Sequence, residues 1–313
     1  MRNHFIFRCV ILLTMSSGPL FSQETEKKMA LTFEYVPFMK PMGFFRAREL
    51  SNMVLRNLEQ EGIQAAGFVV QSKVEDDPST YVVLDDWAAQ GHILGNQTWG
   101  DADYNEMEPQ HFFEHIRDGQ KYLRTIARAH PLNFRFLRFP YLHEGDTEKK
   151  KKRIRKNLYR GSYRIAHVSV KTAVNFFNRP FVRSQTEYPE KLDALKEKYL
   201  SHVMASLDYA EKQSHAVFGR NIPHILQLHM GVATSTMLQP LIEMLKSRGY
   251  GFVSLVDALD DPAYSTSEEY VGPLGLTFID RVAATRGLPF DEGSGVDSRN
   301  LEKELEGFLE RQL

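Results

Sequence analysis

The chain has 313 residues, 42% hydrophobic and 12% aromatic, enough apolar material for one sizeable core and too much for a disordered chain. With 39 Lys and Arg residues against 40 Asp and Glu, the formal net charge is −1. No global field therefore draws in nucleic acid or an anionic membrane, and partners have to be argued from a local site.

The first segment places Arg2 and Arg8 before a short apolar run at 10–15 and small and polar residues at 16–23. That order reads as an export signal over residues 1–23, with an apolar part too short to span a bilayer. The sole cysteine, Cys9, would leave with it, so the mature chain, 24–313, is expected to hold no disulfide and no thiolate nucleophile. A secreted or periplasmic protein without a membrane span is the expectation.

Strand-like runs follow at 29–33, 66–70, 92–96, 134–138, 167–170, 224–228 and 251–255. Segments with apolar residues at three- and four-residue steps cover 47–60, 80–90, 109–130, 148–159, 187–218 and 237–248, the spacing of helices with one buried face. Glycines and a proline mark 287–297 as a loop, and 301–313 reads as a short terminal helix packed on the outside. The alternation predicts an α/β fold, a parallel sheet covered by helices and closed towards a barrel. In such a barrel the functional residues gather where strands end. Glu34, Tyr35, Gln97, Arg138 to Tyr141, Lys171 and His229 are therefore expected on one face.

The order and spacing of these residues carry a resemblance. Thr32, Phe33, Glu34, Tyr35, Val36 and Pro37 resemble the Thr-Phe-Asp-Asp-Gly-Pro motif that opens the polysaccharide deacetylase family (NodB homology, carbohydrate esterase family four). Gly91, His92 and the run from Gly95 to Asp101 are similar to its second motif, Gly-His-x-x-Gly-Asn-His-Thr-x-Ser-His. Arg138 to Tyr141 resemble the third motif, Leu226 to His229 the fifth, and Asp261, Pro262 and Tyr264 the region after it. The resemblance implies a distorted (β/α) barrel of about seven parallel strands acting on N-acetylated cell-wall or exported glycans. It also implies a division of labour. The first Asp of the opening motif is general base, the second Asp and two His of the second motif hold a divalent metal, and the fifth-motif His is general acid. A backbone N–H near the third-motif Tyr helps to bind the oxyanion. Two imidazoles and a carboxylate leave a metal open positions and let it lower the pKa of its water.

Carried over position by position, the resemblance gives Glu34 as base, His229 as acid and Arg138 as their support. Pro140, Tyr141 and Trp99 become substrate contacts, with Tyr104, Trp99 and Tyr141 as rings able to stack on sugars. The metal positions hold Tyr35, Gln97 and Asp101. A neutral phenol and an amide are poor zinc ligands, so no cofactor is expected, or only a weakly bound zinc if hydrolysis persists. The fourth motif aligns on residues 171–175 without its acids, which predicts that Arg138 lacks its partner. Two readings stay open: a glycan-binding protein without the ancestral metal chemistry, and a hydrolase of amide C–N bonds that uses Glu34 and His229 with an altered metal site. A third, a peptidase built on His111, Glu114 and His115, is opposed by the apolar stripe of Phe112, Ile116 and Leu123 beside it. Asp85, Asp86 and Trp87 mimic the fourth motif in the wrong place and read as a surface helix with a packed Trp. The basic run at 148–156 reads as a solvated helix face anchored by Ile154 and Leu158.

Overall fold

The spine of the fold is β1 (Lys27–Val36), buried without interruption from Met29 onward, as a strand covered on both faces of a parallel sheet must be. The computed structural model describes residues 27–38, 43–293 and 298–311; the export signal expected over 1–23 lies outside the described residues. In chain order there follow α1 (Phe44–Gln60), β2 (Ala66–Val69), α2 (Gln71–Asp76), α3 (Tyr81–Ala89), β3 (Ile93–Asn96), α4 (Pro109–Asp118), α5 (Lys121–Ala129), β4 (Phe136–Leu137), α6 (Glu148–Arg160) and β5 (Arg164–Ile165). The remainder comprises α7 (Asn178–Thr186), α8 (Leu192–Phe218), β6 (His224–His229), α9 (Val232–Ser247), β7 (Tyr250–Phe252), α10 (Leu255–Leu259), α11 (Phe278–Thr285) and α12 (Ser298–Glu310).

All strand pairs are parallel, in the order β5-β4-β3-β2-β1-β6, with β7 joined to the first residues of β1. The sheet curls into a half-barrel with helices around it, the architecture expected from the alternation. Residues 166–170 then cross from β4 to β6. The Ala166 N–H donates to Leu137 O at 2.8 Å, and those of Ser169 and Val170 donate to Ile225 O at 3.1 Å. This crossing corrects the strand expected at 167–170. Regular pairing holds only at Arg164–Ile165, before the chain leaves β4, and Val170 keeps a single bridge to Leu226.

The helix expected over 109–130 is broken at Gly119 and Gln120. A Cβ on Gly119 would lie 2.5 Å from Asn96 Oδ1 and 2.8 Å from the Thr98 carbonyl carbon, so the helix can pass the end of β3 this closely only with glycine there. Asn96 exploits the approach, donating to Ile116 O at 2.8 Å and accepting from the Thr98 N–H at 2.7 Å. The loop after β3 is thereby fixed to α4.

Trp87 is fully buried on α3, with its indole N–H on Ser51 Oγ at 2.8 Å, and Asp85 and Asp86 turn outward to His130 and Arg48, as the helix reading required. On α6, Ile154 and Leu158 are buried as expected. Lys151 and Arg155 depart from a solvated face: their long stems carry the cations inward to Glu268, and Arg155 also reaches Glu144. The terminal helix α12 buries Leu305 and Leu309 beside α7. Among the described residues no helix is long and apolar enough to cross a membrane.

Two histidines at the starts of strands give the fold an acid limit. His92 and His224 are both buried, and burial pushes each down to about 4. His92 Nδ1 accepts the Ala65 N–H at 3.2 Å, a role only the unprotonated nitrogen can fill. These pKa values lie below the roughly 6.5 of an unfolded histidine. The unfolded chain therefore binds more protons, and stability is complete above pH 6.5 and declines as pH falls towards 4. Each histidine is expected to contribute a slope of about 1.4 kcal/mol per pH unit near pH 5, read as the pH dependence of urea unfolding. His92→Asn keeps the acceptor and should remove about one proton from that slope; a slope unchanged in this variant would contradict the assignment.

Candidate functional site

The strand ends bring together Glu34 from β1, Gln97 after β3, Arg138 after β4 and His229 from β6. Strand alternation explains part of this convergence. Thr32 and Glu34 share one face of β1, Gln227 and His229 share one face of β6, and the two pairs lie in register, Thr32 beside Gln227 and Glu34 beside His229.

Glu34 is buried and fully engaged. Its Oε1 accepts from Arg138 Nη1 at 2.9 Å and Gln227 Nε2 at 2.7 Å, and its Oε2 from Gln97 Nε2 at 3.2 Å. Arg138, also buried, completes its ties on Thr32 Oγ1 at 3.1 Å and lies over the Phe68 ring. The expectation that Arg138 lacks a partner is thus corrected. The carboxylate at the base position itself neutralises the guanidinium, because the long Arg side chain reaches across the barrel interior from β4 to β1. Thr172, within the segment aligned with the missing motif, instead caps Gln227 O.

Tyr35, Gln97 and Asp101 do converge, but they satisfy one another. The Tyr35 hydroxyl donates to the Asp101 carboxylate, 3.0 and 2.9 Å from its two oxygens. The Tyr35 backbone N–H donates to Gln97 Oε1 at 2.9 Å, which fixes the amide orientation and leaves the NH₂ for Glu34. Tyr141 adds a second phenol, 3.1 Å from Asp101 Oδ2. Burial, reinforced by the neighbouring Asp101, raises the Tyr35 hydroxyl far above its ordinary range and pushes Tyr141 up to about 12. Burial likewise raises Asp101, against the two phenol hydrogen bonds that lower it. Both phenols stay protonated donors at neutral pH. These residues do not fit a divalent metal: the carboxylate is capped by hydroxyl protons, and the amide oxygen is spent on the backbone. Among the described residues no group of three His, Cys, Asp or Glu side chains could hold a metal ion.

His229 stacks on the Tyr35 ring with centroids 5.8 Å apart, and its Nε2 lies 3.7 Å from Glu34 Oε2, beyond hydrogen-bond reach. Burial holds its pKa below the ordinary value, so the imidazole is neutral at neutral pH. Its Nδ1 is buried without a partner among the described residues. Lys171 belongs to the same region and donates to Gly275 O at 2.9 Å; burial lowers its pKa, against Asp280 and Glu34, which raise it.

Pro140 is buried and starts the turn that presents Tyr141, which is 52% exposed. Gly275 supports that turn from below, where a Cβ would stand 1.9 Å from the Tyr141 carbonyl oxygen. Of the six non-glycine residues with positive φ among those described, five lie here: Tyr35, Thr98, Asp101, Tyr141 and Leu142. Backbone strain is therefore concentrated at the candidate site.

Other expected contacts go elsewhere. Tyr104 is fully buried against Phe112 and presents no ring to a ligand. Trp99 is exposed, but it faces away from this cluster and donates to Glu75. On α4, His111 is exposed and His115 packs its ring on Trp99, and among the described residues neither belongs to a group of three side chains able to hold a metal ion. Sequence reading missed Thr32 and Gln227; the available signal was polar residues two apart, in line with Glu34 and His229, within otherwise apolar strands.

Residues 22–156 match the family described as polysaccharide deacetylase. Over that stretch the chain is similar to polysaccharide deacetylases. Solved structures share its fold. They include a carbohydrate esterase family four pseudoenzyme from Bacillus anthracis, 14% identical over 76% of this chain and 67% of that one, with a TM-score of 0.52. A mutant of that protein with restored enzymatic activity is 15% identical over 76% and 69%, also with a TM-score of 0.52. A peptidoglycan N-acetylglucosamine deacetylase is 18% identical over 75% and 89%, with a TM-score of 0.50. No curated protein matches the chain. The deacetylase-type half-barrel thus provides the strand-end face on which Glu34, Arg138 and His229 sit.

Proposed function

We propose that this chain is an exported deacetylase-family pseudoenzyme, one that engages N-acetylated glycan at the strand ends without metal-dependent deacetylation. The observation that carries this reading is the closed Tyr35–Asp101–Tyr141 and Tyr35–Gln97–Glu34 hydrogen bonding. It consumes all three ligand positions, together with the oxygen of Glu34 nearest His229. A base needs a free oxygen within reach of its water, and an acid needs a proton to give. Here Glu34 is held by three donors and His229 is neutral. What remains open is the half-exposed Tyr141 ring, poised on a strained turn above the cluster, a surface suited to stacking on a sugar. The pseudoenzyme among the fold relatives is consistent with this scaffold tolerating such a loss.

Purified protein supplied with zinc or cobalt is expected to retain substoichiometric metal and to release no acetate from N-acetylglucosamine oligomers. Calorimetry should nevertheless detect binding of those oligomers, weakened in Tyr141→Ala. Stoichiometric metal together with acetate release that Glu34→Gln abolishes would overturn the reading in favour of the hydrolase.

A further inference from the structure

Away from the Glu34 cluster, a groove of about 590 Å³ runs between the loop after β3 and the helices α4 and α5. Its wall holds Trp99, 40% exposed, and the side chains of Glu75, Arg117, Lys121, Arg124 and Arg128. None of the residues that surround Glu34 lines it.

Trp99 is held from several directions. Its backbone N–H donates to His115 O at 2.9 Å and its carbonyl accepts from Ser72 at 2.7 Å. The indole N–H donates to Glu75 Oε2 at 2.7 Å while the ring packs edge-on with His115. The exposed ring is therefore fixed before any ligand arrives, which lowers the entropic cost of using it as a platform. Beside it, Lys121, Arg124 and Arg128 recur at helical spacing on α5 and cover about 10 Å of helix axis, with Arg117 at the end of α4.

The charges do not cancel. Lys121 pairs with Glu75 at 3.1 Å and Arg117 with Asp118 at 2.9 Å. Among the described residues Arg124 is held only by the neutral Gln120 Oε1, at 3.2 and 2.9 Å, so its guanidinium is oriented but not neutralised. Arg128 has no ion pair among the described residues. Two positive charges are left over, in a row, on a chain whose net charge is −1.

We infer that this groove is a second binding site, for an acidic polysaccharide, with Trp99 as the ring platform and Arg124 and Arg128 as the anion contacts. Planar guanidinium groups suit the carboxylate or phosphate groups such a polymer carries. Glu75 lies against Lys121 and Trp99, and Asp118 also lines the groove. A carboxylate there accepts hydrogen bonds from sugar hydroxyls, whereas it repels the closely spaced phosphates of a nucleic acid, which has few donors to offer. The site stands independently of the reading given for the Glu34 cluster, because it uses none of those residues and its ligand need not carry an acetyl group.

The test is calorimetric titration of the whole protein with polygalacturonate and, separately, with a phosphorylated glucan, at low and at physiological salt. Binding of either is expected, weakening with salt, and the stronger of the two names the anionic group. Arg124→Gln/Arg128→Gln should weaken it on the order of tenfold at low salt and flatten its salt dependence. Trp99→Ala should weaken it comparably, with Trp99→Phe retaining most of it. Lys149→Gln/Lys156→Gln, the same charge change on the exposed face of α6, should leave binding unchanged. The inference is overturned if neither polymer binds, if the α6 variant weakens binding as much as the groove variant, or if single-stranded DNA binds more tightly than both polymers. Loss of glycan binding through Tyr141→Ala alone, with the arginine variants neutral, would overturn this site while leaving the strand-end reading intact.

Discussion

The variant Tyr35→Asp/Gln97→His/Asp101→His is expected to bind one divalent metal ion where the parent protein binds none tightly. The three positions already meet along one side chain: the Tyr35 hydroxyl reaches Asp101, and the Tyr35 backbone reaches the Gln97 side chain. What they lack is ligand chemistry. Two imidazoles and one carboxylate form a donor set typical of catalytic zinc, with a coordination position left over. The backbone favours the exchange as well. Tyr35 and Asp101 have φ of 61° and 54°, a region that Asp and His enter more readily than most side chains. Removing the phenol also vacates the space between the strands. Full ligand sets in small zinc peptides are worth on the order of 10 kcal/mol. Even partial realisation of that figure should tighten zinc by roughly three orders of magnitude or more. Zinc titration by calorimetry and the visible spectrum of the cobalt form would read affinity and geometry separately. If the variant unfolds like the parent yet takes up no stoichiometric zinc, the strand ends have lost the spacing as well as the ligands. Acetate release would be a further gain, because replacing Gln97 also frees Glu34 Oε2 from its donor.

Why those strand ends could be placed from the sequence, and the partner of Arg138 could not, comes down to the range of the interactions. The alternation of apolar runs with helical spacing is local, and it located β1, β2, β3, β6 and their flanking helices to within a few residues. Glu34, Gln97, Arg138 and His229 followed because each directly follows or ends such a run. The crossing at 166–170 was illegible, because a segment that pairs first with one strand and then with another looks like a single strand in sequence. The break at Gly119 depends on how closely α4 passes Asn96, a tertiary distance with no local signature. The same limit explains Trp99. Its place in the motif put it near Tyr141, yet the indole N–H finds Glu75 on α2, and that hydrogen bond turns the ring into another groove. Arg138 looks orphaned in the sequence because the segment aligned with the fourth motif lacks its acids. The partner is Glu34, 104 positions away in sequence, and only the curl of the sheet brings them together.

That pair carries the largest single stability effect expected in the molecule. Arg138→Met is expected to cost roughly 3–5 kcal/mol, the range for removing one member of a buried ion pair. The cost does not measure the attraction between the two groups. It reflects what is left behind: Glu34, 3% exposed, keeps its charge inside the barrel with only the amides of Gln227 and Gln97 to solvate it. The Met chain can occupy the space over Phe68, where the guanidinium lies 4.6 Å from the ring centroid, so lost packing is a small part of the effect. The double variant Glu34→Gln/Arg138→Met separates the two causes. If uncompensated charge dominates, neutralising Glu34 should recover most of the loss, and urea unfolding of the parent, both singles and the double should give a coupling of about 2 kcal/mol or more. If the double variant instead shows the sum of the single losses, Arg138 acts through shape alone. The expected recovery has a functional corollary. A carboxylate that the fold needs in order to neutralise Arg138 is retained for stability, so a glutamate at the base position of this barrel is not by itself a sign that hydrolysis survives.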